Sequence, residues 1–448
     1  MIFTISVSLF FILLFSFKIF KGNITRPSFI FTSGMFLASL VACSFAKEWE
    51  LLVMDWKTQF MIIGGSMLAL VTDYFSYKPS TSNFGKKKGE FFTMISERKL
   101  LIFAIIQFIE YILYLRAKVA NVGAAYAIAE AIGEINEMSK FDDTFKLSIP
   151  WYINVPYAFF QAYGYIWAIL LPIYLYIGNV TKKAKVLVFI NYLLAILGCM
   201  IQGGRMPMLN YIVPCFMSYI LISIYANKGK AQVKKYFLII FFAVLFLVLF
   251  QQIGSWIGRG ELDTSGFEVI AEYCGAEIKN LDTIISNPPK IKATELLPMT
   301  FMRIYNSLAI SFGTPPSSVD FNTIYEYQSC KGYHLGNVYT CYANYFLDLG
   351  LFGLLFVFIA IWLTTKFYSK ANFQLLFQKG IPNVWCFLYA EFIGLLFLAF
   401  FHEQYYAINP ISLVRGIIYI YIGYLFLFPR VNLMYQLFLS AVVLIAKS

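Results

Sequence analysis

Three arginines are the residues of this chain best suited to bind an anion. Arg205 follows Gly203 and Gly204 in a tight turn, Arg259 has a glycine on each side, and Arg303 lies on an amphipathic segment. A guanidinium donates permanently charged, bidentate hydrogen bonds to phosphate oxygens, and neighbouring glycines let backbone amides approach the same group. The pattern predicts a site for an anionic group such as a pyrophosphate. An interfacial arginine that reaches toward lipid headgroups is the alternative for Arg205.

Two histidines and one carboxylate are the candidates for proton transfer. A general base must titrate near neutrality, which favours histidine over an ordinary carboxylate, and the histidines of the chain are His334 and His402. His334 lies three residues before Asn337 and leads into an apolar segment, so we rank it first. His402 ranks second, and the adjacent Glu403 is the carboxylate alternative. A loop histidine that holds a turn through a backbone carbonyl is the structural alternative for His334.

The spacings typical of metal, nucleotide and serine-hydrolase sites are missing. The sequence has no GxxxxGK[ST], HExxH or GxSxG motif, and its seven cysteines show no metal-ligand spacing. We therefore predict no metal centre. Cys274, Cys330 and Cys341 fall in or beside the longest polar stretch, so one disulfide can form among them and leave one thiol free.

The composition indicates a membrane protein. Hydrophobic residues make up 60% of the chain and charged residues 13%, against about 45–50% and about 25% in soluble domains. This excludes a soluble enzyme. The net charge of +11 comes from lysines and arginines in short connectors beside apolar segments, where they set membrane orientation, and no nucleic-acid module accompanies them.

Runs of apolar residues predict about twelve transmembrane helices in an all-α polytopic protein. The last run is short for a span and also fits a helix on the membrane surface. The predicted helices cover 2–20, 28–46, 57–77, 99–116, 153–177, 184–203, 206–226, 235–256, 341–366, 383–401, 409–428 and 431–446.

Alternate connectors carry most of the basic residues, and these are predicted to be cytoplasmic. The chain then divides into helices 1–8 at 1–253, a large external loop at 254–340 and helices 9–12 at 341–448. Both histidines and the three arginines map to the external face. An external segment at 117–150 carries an acidic stripe, which predicts either a solvated surface helix or a lid that supplies a carboxylate.

The external loop is predicted to be helix and turn rather than strand. Two proline pairs, at 288–289 and 315–316, break it. Between them an amphipathic helix is predicted over 300–312, and it carries Arg303. The first apolar segment has no basic residue before it, so we expect a retained anchor rather than a cleaved signal peptide.

Three stretches of the sequence carry a resemblance to a known family. They are the segment from Gly336 to Gly353, GNVYT followed seven residues later by DLGLFG, and the turns GGRMPML and IGRGEL. The segment is similar to the region after the large external loop of O-antigen and capsular repeat-unit polymerases, the Wzy-type family. The turns resemble the arginine-bearing turns on the external face of these enzymes. The similarity covers 198–353, and the N-terminal half matches in general plan.

The resemblance implies the fold of metal-independent polyprenyl-phosphate glycosyltransferases, a GT-C-like class. It implies an enzyme that moves a growing glycan from undecaprenyl pyrophosphate to a hydroxyl of the next lipid-linked repeat unit, without a cofactor. The reaction would occur at the periplasmic face of the bacterial inner membrane. Lipid-linked repeat units, the bilayer and in some systems a chain-length regulator would be the partners, with no nucleic acid. The residues implied for binding pyrophosphate and glycan are Arg205, Arg259, Arg303, Asn337, Tyr339 and Thr340.

Two alternatives stay open. A ligase of the same fold would send the glycan to a different acceptor. A flippase or transporter of lipid-linked sugars belongs to another class, and such proteins usually show internal repeats and helices broken near the midplane. This sequence instead places its polar residues in one external loop.

Overall fold

The computed structural model describes residues 1–77, 95–122, 127–141, 147–176, 180–203, 206–226, 266–319, 324–371, 382 and 384–428. Within these ranges the regular secondary structure is helical, apart from one two-stranded sheet. Arg205, Arg259 and the predicted helices at 235–256 and 431–446 lie outside the described residues.

The N-terminal half contains eight of the described helices. Their bounds lie within three residues of the predicted ones wherever a transmembrane helix was predicted, and the last is preceded by a short 3-10 turn, Met206–Met208. They are α1 (Ile2–Ile19), α2 (Pro27–Ser44), α3 (Trp56–Ser76), α4 (Glu97–Val119), α5 (Ile128–Phe141), α6 (Trp151–Tyr176), α7 (Lys182–Ile201) and α8 (Leu209–Ala226).

The C-terminal half has shorter elements before its apolar helices. They are α9 (Gly266–Cys274), α10 (Ala276–Ser286), α11 (Pro298–Phe312), β1 (Gln328–Cys330), β2 (Tyr333–Gly336), α12 (Cys341–Leu349), α13 (Leu354–Lys370), α14 (Val384–Phe397) and α15 (Pro410–Leu427).

Seven helical segments of the described ranges are long and apolar enough to cross a membrane. Two shorter apolar helices, Leu209–Ile224 and Val384–Phe400, accompany them. An all-α, polytopic membrane protein is therefore confirmed. The seven segments are Ile2–Ile19, Pro27–Ser44, Glu97–Val119, Trp151–Tyr176, Lys182–Ile201, Cys341–Lys370 and Pro410–Leu427.

Two details of the predicted elements were wrong. The helix expected over 341–366 is interrupted, because Gly350 has a φ of +58° and a 3-10 turn, Gly350–Gly353, separates α12 from α13. The external loop also contains strands, since β1 and β2 form an antiparallel hairpin. Lys331 and Gly332 close that hairpin with φ values of 49° and 86°, as a two-residue primed turn requires.

The chain packs as two compact units, each built from separate stretches of sequence. The first unit comprises Met1–Ser82, Ser223–Lys370 and Glu391–Leu413. The second comprises Asn83–Ile222, Ala371–Ala390 and Val414–Ser448. The three regions predicted from membrane topology separate transmembrane helices from the external loop, whereas each unit combines stretches from more than one of these regions.

The first unit is organised around α2, α3 and α13. Helix α2 packs between α1 and α3, and α3 packs along α13. Gly34 lets the C-terminal end of α14 approach α2 closely, because a Cβ at this position would lie 2.5 Å from the Phe397 carbonyl oxygen. This contact brings the residues that follow α14 against the core of the unit.

The second unit joins α4, α6 and α7 through aromatic and polar side chains. Phe103 stacks on Tyr163, and the Tyr211 hydroxyl donates to the Gln161 carbonyl oxygen at 2.6 Å. Helix α5 packs on the turn after α7, where Asn136 is next to Gly203. Its Glu130 side chain is exposed and accepts from the nearby Ala127 amide, whereas Glu134 is half-buried.

Candidate functional site

The segment 401–409, which connects a 3-10 turn (Leu398–Phe400) to α15, has irregular backbone and lies against α13. The Thr364 hydroxyl donates to the Tyr405 hydroxyl at 3.1 Å, and the Tyr406 hydroxyl donates to the Phe356 carbonyl oxygen at 2.7 Å. Irregular backbone beside the middle of an apolar helix is tolerated where protein surrounds it or where it lines a cavity. The segment meets this condition, and its ionisable residues become candidates for function.

Glu403 is the buried centre of this segment. Its side chain has no exposed surface, and its Oε1 accepts the Tyr406 backbone N–H at 2.7 Å. Within the described part of the chain, Oε2 is buried without a hydrogen bond of normal geometry. Burial raises the pKa of Glu403 from 4.5 to about 7, against the opposing influence of the Tyr345 hydroxyl, two backbone amides and Arg303. A carboxyl group that titrates near neutrality is suited to general-base catalysis.

Arg303 supplies a positive charge close to Glu403. It lies on α11, where neighbouring side chains surround it, and yet its side chain remains accessible to solvent. Burial lowers the pKa of Arg303 and Glu403 raises it, and a guanidinium keeps its charge in proteins. The ion pairs within 4.0 Å among the described residues do not include Arg303 with Glu403. The two groups therefore interact electrostatically without direct ion-pair contact.

His402 is the third ionisable side chain of the cluster, and its surroundings keep it neutral. Burial and the nearby Arg303 lower the pKa of His402 to about 3, although a hydrogen bond to the Tyr339 backbone opposes this. Its ring also meets the Tyr325 ring edge-on, with 6.4 Å between centroids. A group with so low a pKa is a weak base at physiological pH.

A small cavity lies beside Glu403. Its volume of about 10 Å³ is close to the space that one water molecule needs. Tyr345 and Tyr405 line it together with the carboxyl group, and the rest of the wall is apolar: Phe31, Val357, Ala360, Ile361, Leu396 and Ala399.

The structure brings together Arg303, His402 and Glu403, and the Tyr339 backbone is hydrogen-bonded to His402. The Tyr339 hydroxyl donates to the Glu326 carbonyl oxygen at 3.1 Å, and Thr340 is buried at the start of α12. Tyr345, Tyr405 and Tyr406 were not predicted from the sequence. The sequence predicted a turn at HEQYY, but it did not predict that this turn lies along α13.

His334 lies elsewhere in the first unit. Its side chain is exposed on β2, opposite Ser329, and no contact in the described ranges joins it to Arg303, His402 or Glu403. It does not hold the following turn either, because the Asn280 amide donates to the carbonyl oxygens of Leu335 and Val338 at 3.0 and 2.8 Å. Asn337 lies in that turn and is half-buried.

No disulfide links the cysteines of the loop region. All seven cysteines of the chain are free, Cys274 and Cys341 are buried, and the Cys330 thiol donates to the Glu48 carbonyl oxygen at 3.5 Å. No group of three or more His, Cys, Asp or Glu side chains suited to a metal ion occurs among the described residues.

The site thus consists of an accessible arginine, a neutral histidine and a buried carboxyl group that titrates near neutrality. Comparison of the whole chain with protein-family models, with characterised proteins and with solved structures gave no match.

Proposed function

We propose that this chain is a glycosyltransferase of the bacterial inner membrane that polymerises lipid-linked repeat units on the periplasmic face. The growing glycan would move from undecaprenyl pyrophosphate to a hydroxyl of the next lipid-linked unit. The observation that carries the proposal is the pairing of Arg303 with Glu403, a cation open to solvent beside a carboxyl group whose pKa is about 7. The reaction needs a positive charge that stabilises the departing pyrophosphate and a base that takes the proton of the acceptor hydroxyl.

In this proposal Glu403 is the general base. Its carboxylate takes the proton of the acceptor hydroxyl while the oxygen forms a bond to the anomeric carbon. The bond from that carbon to the pyrophosphate oxygen breaks, and its electron pair leaves with the pyrophosphate. Arg303 stabilises the added negative charge through its guanidinium. The proton then passes from Glu403 to solvent or to the released undecaprenyl pyrophosphate.

The proposed base differs from the one ranked first by sequence. His334 is exposed and lies outside the cluster, whereas Glu403 lies beside Arg303. His402, with a pKa of about 3, would serve as a neutral spacer that holds the Tyr339 backbone near the cluster. Tyr339 and Thr340 remain proposed contacts for the glycan.

A second function, proton-coupled transport of a lipid-linked sugar, is favoured by one observation. An ionisable residue that lies beside the middle of an apolar helix and titrates near neutrality is also what a proton-coupled transporter uses. In such a protein Glu403 would bind and release a proton during the transport cycle, and no glycosidic bond would form.

The test is a detergent-solubilised reaction with purified lipid-linked repeat units, in which no membrane gradient exists. We expect wild type to form glycan of increasing length and Glu403→Gln to be slower by about 10²- to 10⁴-fold, the usual contribution of a general base. Glu326→Gln is the matched control, because that side chain is exposed, and it should behave as wild type.

Three outcomes would revise the proposal. Near-normal polymer from Glu403→Gln would remove Glu403 as the base. Transfer to an acceptor other than a repeat unit would indicate the ligase. Absence of any transfer in detergent, together with proton-dependent movement of the lipid-linked sugar across proteoliposomes, would indicate the transporter.

A further inference from the structure

We infer that Asp348 positions Arg303 by capping the N-terminus of α11 from a distant helix. The consequence for catalysis rests on the proposed function, but the positioning itself does not. Asp348 belongs to α12 and begins the DLGLFG run, and the proposed reaction gives it no role.

Helix α11 lacks a cap of its own. Leu297 precedes it in a left-handed conformation, with a φ of 52°, and offers no side-chain hydrogen bond to the helix. The backbone N–H groups at the start of a helix need acceptors from elsewhere. Those of Met299 and Thr300 donate to Asp348 Oδ1 and Oδ2, at 3.0 and 2.7 Å. One carboxylate therefore satisfies two donors and places a negative charge where the helix dipole favours it.

A second residue of α12 strengthens this attachment. Asn344 precedes Asp348 by four residues, so both side chains lie on one face of the helix. Its amide donates to the Met299 carbonyl oxygen at 2.7 Å, and its Oδ1 accepts from the Tyr325 hydroxyl. Tyr325 in turn packs on His402. The N-terminus of α11 is thus fixed to the elements that surround Glu403.

Arg303 follows Thr300 by three residues, about one helical turn. It forms no ion pair within 4.0 Å in the described part of the chain, so its position depends on where α11 is held. The groups that interact with Glu403 are Arg303 from α11, Tyr325 from the loop before β1, Cys341 and Tyr345 from α12, and Tyr405 and Tyr406 from its own segment. His402, the preceding residue, interacts with Arg303. Arg303 is the cation of this described set, so its withdrawal would make the Glu403 proton harder to remove.

The experiment follows Glu403 protonation by difference infrared spectroscopy on purified protein in lipid nanodiscs. The band is identified by its loss in Glu403→Gln. Variants Arg303→Gln, Asp348→Ala, Asp348→Asn and the double variant Arg303→Gln/Asp348→Ala are titrated beside wild type. Asp282→Ala is the matched control, because Asp282 likewise accepts a backbone N–H, that of Asp55, and the Thr58 hydroxyl at the start of another helix, α3.

We expect Arg303→Gln to raise the titration midpoint of Glu403 by about one pH unit, the effect of losing a nearby opposite charge. Asp348→Ala should raise it by a comparable amount, and Asp348→Asn by less, since the amide keeps one acceptor. The double variant should show no further rise over Arg303→Gln, and Asp282→Ala should titrate as wild type.

Several results would overturn the inference. They are a wild-type midpoint in folded Asp348→Ala and Asp348→Asn, an unchanged midpoint in Arg303→Gln, or an equal rise in Asp282→Ala. Loss of folded protein in both Asp348 variants would also overturn it, because Asp348 would then be required for the fold itself. The spectroscopic readout needs no turnover, so a wild-type protein that makes no glycan would contradict the proposed function and leave this inference to be decided separately.

Discussion

Two arginine–carboxyl clusters of the first unit pack against the same helix, α13, and they are built in opposite ways. One is Arg26 with Asp73, near the C-terminal end of α13, and the other is Arg303 with Glu403, beside its middle. In the first, the charged groups touch at 2.7 Å, with 3% and 0% of their side chains exposed. In the second, they do not form an ion pair, and the arginine remains open to solvent.

Both carboxylate oxygens of Asp73 accept hydrogen bonds. Its carboxylate accepts from two Arg26 nitrogens, from the Ser28 amide and hydroxyl, and from the Thr365 hydroxyl at 2.9 Å. The Arg26 guanidinium also lies 3.8 Å from the Tyr77 ring centroid. Glu403, in contrast, keeps an oxygen without a hydrogen bond of normal geometry in the described structure, next to a small cavity.

The difference separates a structural ion pair from a candidate reactive cluster. A buried charge whose hydrogen-bonding capacity is fully used within the protein has none left for a substrate. An incompletely paired buried charge destabilises the fold and is retained where function needs it. The same helix therefore carries a structural ion pair near its C-terminal end and, beside its middle, the wall of the cavity next to Glu403.

The largest expected effect is on stability at the structural cluster. Arg26→Ala leaves Asp73 buried and without its cation, and we expect a loss of about 3–5 kcal/mol in the free energy of unfolding. Unfolding in mixed micelles measures it. Lys331→Ala is the control, because its pair with Glu50 is exposed to solvent and its loss should change the free energy of unfolding little. Equal losses in the two variants would erase the distinction between the clusters.

The second effect has the opposite sign and concerns Glu403. Its folded-state pKa of about 7 exceeds 4.5, so the stability it contributes is fully present below pH 4.5 and is lost as the pH rises through about 7. The difference corresponds to about 3 kcal/mol. Glu403→Gln should therefore be more stable than wild type by about that amount at pH 8, and not at pH 4.5. A Gln variant less stable than wild type at pH 8 would contradict the proposed burial of a charge.

Single hydrogen bonds should also contribute more to stability in the structural cluster than in the segment around Glu403. The Ser28 hydroxyl donates to the Asp73 carboxylate at 2.7 Å, so Ser28→Ala should lower the free energy of unfolding by about 1.5–3 kcal/mol. Tyr405→Phe removes a bond between two neutral hydroxyls, at 3.1 Å, and should lower it by about 0.5–1.5 kcal/mol. Equilibrium unfolding of both variants decides whether the charged bond is the stronger one.

The smallest expected effect is a pH dependence of glycan transfer. If Glu403 is the base, the rate should fall about tenfold for each pH unit below 7 and level off above it. Glu326→Gln should keep the same profile, whereas Asp348→Ala should move the acid limb to higher pH. A rate that is flat between pH 5 and 8 would exclude Glu403 as the titrating group.

The sequence alone determined the class of protein and most of its helices. Runs of about 20 apolar residues are long enough to span a bilayer, and this requirement is local, so it can be read along the chain. It also located α11 and its Arg303, because an amphipathic pattern between two proline pairs is local as well. The hairpin was missed although its signal, Lys331–Gly332 between short runs, was present.

The base and its support were decided by the tertiary structure. Arg303 and Glu403 are a hundred residues apart, and Asp348 lies 48 residues from Thr300. Histidine was preferred as the base because the pKa of an unperturbed carboxylate is too low. Burial, however, raises the pKa of Glu403 to about 7 and lowers the pKa of His402 to about 3. A pKa depends on solvent exclusion and on charges brought near by folding, and a linear pattern contains neither. The helices could therefore be predicted from the sequence, while the roles of the ionisable residues required their positions in the fold.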